Sequence, residues 1–243
     1  MSGKFQGKRA LVTGAGKGIG REIVGCLARE GAEVVALSRT AADLKSLEAE
    51  TGCRTITVDL SQAAEARRAA EEAGDIDLLV NNAGISILEP FLTTSPVNFM
   101  QVYATNVTSC LVISQVMAGK LIARKKPGAI VNLSSQGSMV GLRDHASYCS
   151  SKGALDQLTR VMALELGPHK IRVNAVNPTV VLTPMGEMAW SDPAKAAPML
   201  ARIPIGRFAK PVDVAEAVLF LLSDEAAMIH GVMLPVDGGF LAG

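Results

Sequence analysis

The chain has 243 residues, and 24 Lys and Arg stand against 23 Asp and Glu for a net charge of +1. Hydrophobic residues make up 49% of it, enough for a large core, which excludes a disordered chain. With no basic excess to neutralise a phosphate backbone, general nucleic-acid binding is excluded as well.

Short apolar runs with little alternation predict strands at Ala10–Thr13, Glu33–Ser38, Thr55–Leu60, Asp77–Asn81, Ala129–Leu133, Arg172–Asn177 and Val232–Val236, each covered on both faces. Helical patterns fall between them, at 18–30, 40–50, 61–73, 96–124, 147–167 and 211–223. That alternation implies an α/β chain with a seven-stranded parallel sheet and right-handed crossovers, wound into a single domain over residues 1–243. The stretch Met1–Arg9 is polar and basic, with no apolar segment of the signal-peptide kind. Cys26, Cys53, Cys110 and Cys149 show no CxxC and no metal-ligand spacing. They read as free thiols, and a cytoplasmic protein without a metal site is expected.

The first strand runs into Thr13-Gly14-Ala15-Gly16-Lys17-Gly18-Ile19-Gly20. A glycine-rich strand-to-helix turn lets backbone N–H groups and the helix dipole approach a phosphate. Read alone it is also a tight connection; its place in the first βα unit favours a dinucleotide. The second strand ends in Ser38-Arg39-Thr40, where an acid would grip the ribose hydroxyls of NAD. Arg39 instead offers a planar fork suited to a 2′-phosphate, and Lys17 a second cation, so NADP(H) is the expected cofactor.

Residues 90–119 carry no charge. Gln101, Thr105, Asn106, Thr108, Ser109, Ser114 and Gln115 make the stretch too polar for a lipid-facing span, so it reads as a helix buried in protein or in a subunit interface. Asn106 lies mid-helix, where Asn has no local advantage; a specific hydrogen bond and an ordinary core amide are both open. Asn81-Asn82-Ala83-Gly84 and Ser134-Ser135 each follow a strand at the carboxyl edge of the sheet, the edge where open α/β folds bind ligands. Tyr148-Cys149-Ser150-Ser151-Lys152 puts a phenol and an ammonium on one helix face. The ammonium stabilises the phenolate and readies the tyrosine to give or take a proton. Residues 178–210 hold Pro178, Pro184, Pro193, Pro198 and Pro204 and read as a loop-rich excursion of the substrate-binding kind.

Taken in order, TGxxxGxG, NNAG, Asn106, Ser135 and YxxxK resemble the short-chain dehydrogenase/reductase family, across essentially the whole chain to Val236-Asp237-Gly238-Gly239. Within it, Gly14–Gly20 with Lys17, Ser38-Arg39-Thr40, the run from Met162 to Val181 and Trp190-Ser191-Asp192-Pro193 resemble the branch that reduces L-xylulose and dicarbonyls. The resemblance implies a Rossmann fold and a homotetramer. It implies Tyr148 as general acid, Ser135 as the residue orienting the substrate carbonyl, Lys152 on the nicotinamide ribose, and Asn106 holding a water in a proton relay. Lys17, Arg39 and Thr40 would surround the 2′-phosphate, with Gly14, Gly18, Ile19 and Gly20 forming the turn beneath the pyrophosphate. Asp59 and Leu60 would flank adenine, Asn82, Ala83 and Gly84 the adenosine ribose, and Val181 and Thr183 the carboxamide.

Gln136, His145 and Trp190 are candidate contacts to a small carbonyl or sugar substrate. A loop histidine and a packing tryptophan are the competing readings. His169 and His230 read as structural, and Arg124-Lys125-Lys126 as a solvated helix end. The expected activity is NADPH-dependent, reversible reduction of small dicarbonyls and of ketoses such as L-xylulose to the polyol. A 3-oxoacyl-acyl-carrier-protein reductase and a non-catalytic NADPH sensor are the alternatives.

Overall fold

The computed structural model describes residues 3–243, with Met185 and Ala189 described by their backbone alone; Met1 and Ser2 lie outside the described residues. Seven strands, β1 (Arg9–Thr13), β2 (Glu33–Ser38), β3 (Arg54–Thr57), β4 (Leu78–Asn81), β5 (Gly128–Leu133), β6 (Ile171–Pro178) and β7 (Met233–Val236), form one parallel sheet in the order β3-β2-β1-β4-β5-β6-β7. The winding reverses between β1 and β4, where Leu11 pairs with Leu79. At such a switch point two crossovers leave in opposite directions and open a crevice at the carboxyl ends of the strands.

Helices α1 (Gly18–Arg29), α2 (Ala41–Thr51) and α9 (Pro211–Leu222) cover one face. Helices α3 (Ala63–Glu72), α5 (Ser109–Ala123) and α6 (Ala146–Leu166) cover the other. Successive strand residues serve opposite faces: Ala10 and Val12 of β1 pack with Ile23, Leu27 and Val218, while Leu11 packs with Ile113 and Leu121. The strands therefore lack alternation because both faces are buried, as expected.

Three predicted boundaries are corrected. The third strand ends at Thr57, three residues short of the predicted Leu60. Val58 and Leu60 are buried, which produced the apolar signal, but past Val58 N–H, which still donates to Ser38 O, the chain turns off the ladder. The predicted helix 96–124 is α4 (Pro96–Tyr103) and α5 joined by a π turn at Ala104–Thr108 that contains Asn106. The loop-rich excursion 178–210 holds two helices, α7 (Pro184–Ala189) and α8 (Pro193–Leu200). Pro184 and Pro193 occupy first-turn positions, where a missing N–H costs nothing, behind the caps Thr183 and Asp192, whose side chains accept from Gly186 N and Ala194 N.

The path Pro96–Ala123 is 28 residues long and contains an 18-residue stretch of mean hydropathy 1.3, long and apolar enough to cross a membrane by those measures, yet half of that stretch is buried in the protein. Ser109 and Ser114 lie on its buried side.

Candidate active site

The glycine-rich turn is shaped by contact with the chain after β4. Gly14 has φ +62°, and a Cβ there would stand 2.8 Å from Ala83 Cα. Thr13 Oγ1 accepts from Asn82 N and Ala83 N, both at 3.0 Å. The Asn82 amide donates to Thr13 O at 2.9 Å and Gly14 O at 3.0 Å. Asn82 thus acts through its side chain on the turn itself, clamping the first and fourth strand ends together.

Beside this clamp lies a crevice of about 460 Å³ at the carboxyl edge, lined by Gly14, Lys17, Gly18, Ile19, Arg39, Thr40, Asp59, Leu60, Asn82, Ala83, Gly84 and Thr183. Twelve predicted cofactor residues therefore meet in one place. Gly20 lies beneath it in α1, where a Cβ would come within 2.4 Å of Gly14 O. Val181 is half-buried, bridged to Ala209 and packed on the core. Ser38, Asp43, Val58, Ile85, Thr105 and Pro184 also line the crevice and were not foreseen. Asp43 carries charge: its Oδ2 is 3.3 Å from Lys17 Nζ. An acid in the first turn of a helix reads in sequence as a dipole partner, which hides any other role.

The four expected catalytic residues converge at the end of β5. Lys152 is 4% exposed, donates from Nζ to Leu133 O at 2.6 Å, and holds that ammonium 5.7 Å from the centre of the Tyr148 ring. A buried cation with one fixed carbonyl partner keeps its remaining protons for a ligand or water. Ser135 is buried and extended; its Oγ accepts from Gly137 N at 3.0 Å, and its carbonyl accepts from Ser138 Oγ at 2.8 Å and Asn177 Nδ2 at 3.2 Å. That leaves the hydroxyl proton of Ser135 to donate. Asn106 is fully buried: Oδ1 accepts from Ile85 N at 2.8 Å, and Nδ2 donates to Ile85 O and Ser151 Oγ, both at 3.0 Å. A Cβ on Gly84 would lie 3.4 Å from both Asn106 Oδ1 and Lys152 Nζ, so the two flank that glycine.

Around them, Gln136 is 3% exposed and its Oε1 has no hydrogen-bond partner among the described residues. The His145 ring stands edge-on to Tyr148 at 6.1 Å, with Nδ1 2.6 Å from Arg143 O. Trp190 packs on Phe208 at 5.4 Å, under the Lys195 ammonium at 5.0 Å, in a cluster with Ile203 and Phe240. His230 bridges Val173 N and Ala163 O, a structural role as expected. Burial pushes the Cys149 thiol up from its ordinary value, and that of Cys26 up to about 11.

A family model described as enoyl-(acyl carrier protein) reductase matches residues 14–241. The chain is 56% identical to an L-xylulose reductase of Bos taurus over the full length of both chains. It is 55% identical to a D-erythrulose reductase of Gallus gallus, covering 98% of this chain and 97% of that one. Among solved structures it is similar to a putative NAD(P)-dependent gluconate 5-dehydrogenase of Beutenbergia cavernae with bound NADP, at 39% identity and a TM-score of 0.93, over 99% of this chain and 100% of that one.

Proposed function

The chain belongs to the short-chain dehydrogenase/reductase family, and we propose that within it the protein reduces L-xylulose and related small ketoses and dicarbonyls with NADPH. The observation that carries this reading is the buried Lys152, pinned to Leu133 O beside Tyr148. The full-length identity to the bovine L-xylulose reductase supports the substrate class.

The crevice fits a dinucleotide. A side chain at Gly14 would collide with Ala83, so backbone alone faces the crevice there, and Lys17 and Arg39 bring positive charge to its mouth. Gly14, Gly18 and Ile19 would hold the pyrophosphate, Arg39, Thr40 and Lys17 the 2′-phosphate, and Asp59 and Leu60 the adenine. Asn82, Ala83 and Gly84 would line the adenosine ribose, Val181 and Thr183 the carboxamide, and Lys152 the nicotinamide ribose. When bound, NADPH supplies the hydride.

Tyr148 donates its phenolic proton to the substrate oxygen, and Lys152 stabilises the phenolate that remains. Ser135 donates to the same oxygen and fixes its position. Asn106, which with Lys152 flanks Gly84, would hold a water that links Lys152 to solvent, the path by which the Tyr148 phenolate regains its proton. Gln136 and His145 meet substrate hydroxyls; the partnerless Gln136 Oε1 supports this, since a buried acceptor left unpaired is costly. Trp190, anchored on Phe208, closes the apolar side of the pocket.

Phe91, Leu92, Val97, Met100 and Leu164 are large apolar side chains exposed to solvent, more apolar exposure around α4 and α6 than a monomer usually leaves in water. It supports a homotetramer joined through α4, α5 and α6, and the four free thiols support a cytoplasmic location. Purified protein tests the activity by following NADPH absorbance with L-xylulose, diacetyl and an acetoacetyl thioester, and again with NADH. Turnover of the first two with NADPH is expected. Preference for the thioester, or NADPH binding without turnover of any of the three, overturns the reading.

A further inference from the structure

We propose that Asp43 is a specificity-determining residue that lowers the affinity of the crevice for a 2′-phosphorylated dinucleotide; the inference rests on the NADPH reading above. Asp43 follows Ser38-Arg39-Thr40 into the first turn of α2 and lines the same mouth as Lys17 and Arg39. Its Oδ2 lies 3.3 Å from Lys17 Nζ. The two partners differ in freedom: the Lys17 side chain is 71% exposed and that of Asp43 only 22%.

The carboxylate is held by its surroundings. A Cβ on Gly16 would stand 3.1 Å from Asp43 Cβ, so Asp43 is wedged against the glycine-rich turn. Arg21 Nη1 reaches both Gly16 O and Asp43 O at 3.4 Å and ties that turn to α2. Lys17 can therefore swing while Asp43 stays.

The consequence follows from charge alone. A phosphate oxygen gripped by Lys17 in its present place lies no more than roughly 6 Å from the Asp43 carboxylate, the sum of the ion-pair distance and one charged hydrogen-bond length. At that range a carboxylate repels a dianion appreciably even in water, and the repulsion is screened by salt. Asp43 also competes with the phosphate for the lysine. A ribose hydroxyl meets neither penalty and can donate to the carboxylate. Asp43 therefore narrows the preference that Arg39 and Lys17 create.

Fluorescence titration of the whole protein with NADPH and with NADH tests this without reference to turnover. Asp43→Asn keeps the side-chain shape and removes the charge. The NADPH dissociation constant should fall about three- to tenfold at low ionic strength, that for NADH should hold or rise, and the gain should shrink as salt is added. The same substitution made on Lys17→Ala should again tighten NADPH, because the repulsion does not pass through the lysine. An unchanged or larger NADPH constant in Asp43→Asn, or a gain that vanishes in the Lys17→Ala background, overturns the inference and leaves Asp43 as a mere anchor for Lys17. The NADPH reading is judged separately, on the ratio of the two constants in the unaltered protein.

Discussion

Tyr148→Phe removes one oxygen from the site and little else. Among the described residues the Tyr148 hydroxyl has no hydrogen-bond partner; the ring meets His145 edge-on and the Lys152 ammonium at 5.7 Å. Phenylalanine keeps both ring contacts, so folding stability should change by less than about 0.5 kcal/mol. Loss of a positioned general acid costs about 10²- to 10⁴-fold in rate, equivalent to ~3–5.5 kcal/mol of transition-state stabilisation. The measurement is kcat from NADPH oxidation with L-xylulose, beside urea unfolding and NADPH titration on the same preparation. The expected pattern is a collapsed kcat with unchanged unfolding midpoint and dissociation constant. A kcat within tenfold of the unaltered protein, with stability intact, would show that the proton comes from elsewhere and refute the assigned role.

Asn106→Ala leaves Ile85 N and Ile85 O without their side-chain partner and removes the donor to Ser151 Oγ, which keeps only its bond to Tyr148 O; about 2–4 kcal/mol of stability should be lost by urea unfolding, and kcat should fall with it. Asp213 is held down to about 2, from 3.8, by hydrogen bonds from Arg207 and from Lys210 N–H. Because the folded carboxyl gives up its proton more readily than the unfolded one, Asp213→Asn should cost about 1 kcal/mol above pH 4, after solvent screening, and nothing below pH 2; a cost unaffected by pH across that window would point to lost packing instead. Leu121, fully buried between the sheet and α3, should cost about 2–5 kcal/mol as Leu121→Ala in the same unfolding assay, and a loss under 1 kcal/mol would mean that the site collapses around the deletion.

The sheet was legible because its strands are apolar on both faces and its helices come between them at regular spacing. Where burial and pairing part company, the reading erred: Val58 and Leu60 are as buried as strand residues yet lie beyond the ladder. Prolines misled in the opposite direction, since Pro184 and Pro193 begin helices rather than prevent them. Tyr148 and Lys152 were visible because their partnership is local, one turn of α6. The bond partners of Asn106 were not, because Ile85 lies 21 residues away and meets it through backbone atoms, which leave no mark on residue type. Asp43 was missed for a related reason: its proximity to Lys17 runs from α2 across to the glycine-rich turn.

The polar residues behind Ser135 show why the site and the fold are hard to alter separately. Asn177, fully buried at the end of β6, directs its amide nitrogen at Asp156 Oδ2, Ser138 Oγ and Ser135 O, at 3.0, 2.9 and 3.2 Å. Two hydrogens serve three oxygens, and Asp156 Oδ1 and Asn177 Oδ1 have no hydrogen-bond partner among the described residues. An apolar trio of the same shape would carry none of that cost. What the arrangement supplies is position: it ties α6, which carries Tyr148 and Lys152, to the strand end that carries Ser135, through a residue on a third element. A hydrophobic contact would hold these elements together but would let them slide; directional bonds fix the spacing on which proton transfer depends. The unsatisfied acceptors therefore lie where a carboxyl-edge site needs register more than it needs stability.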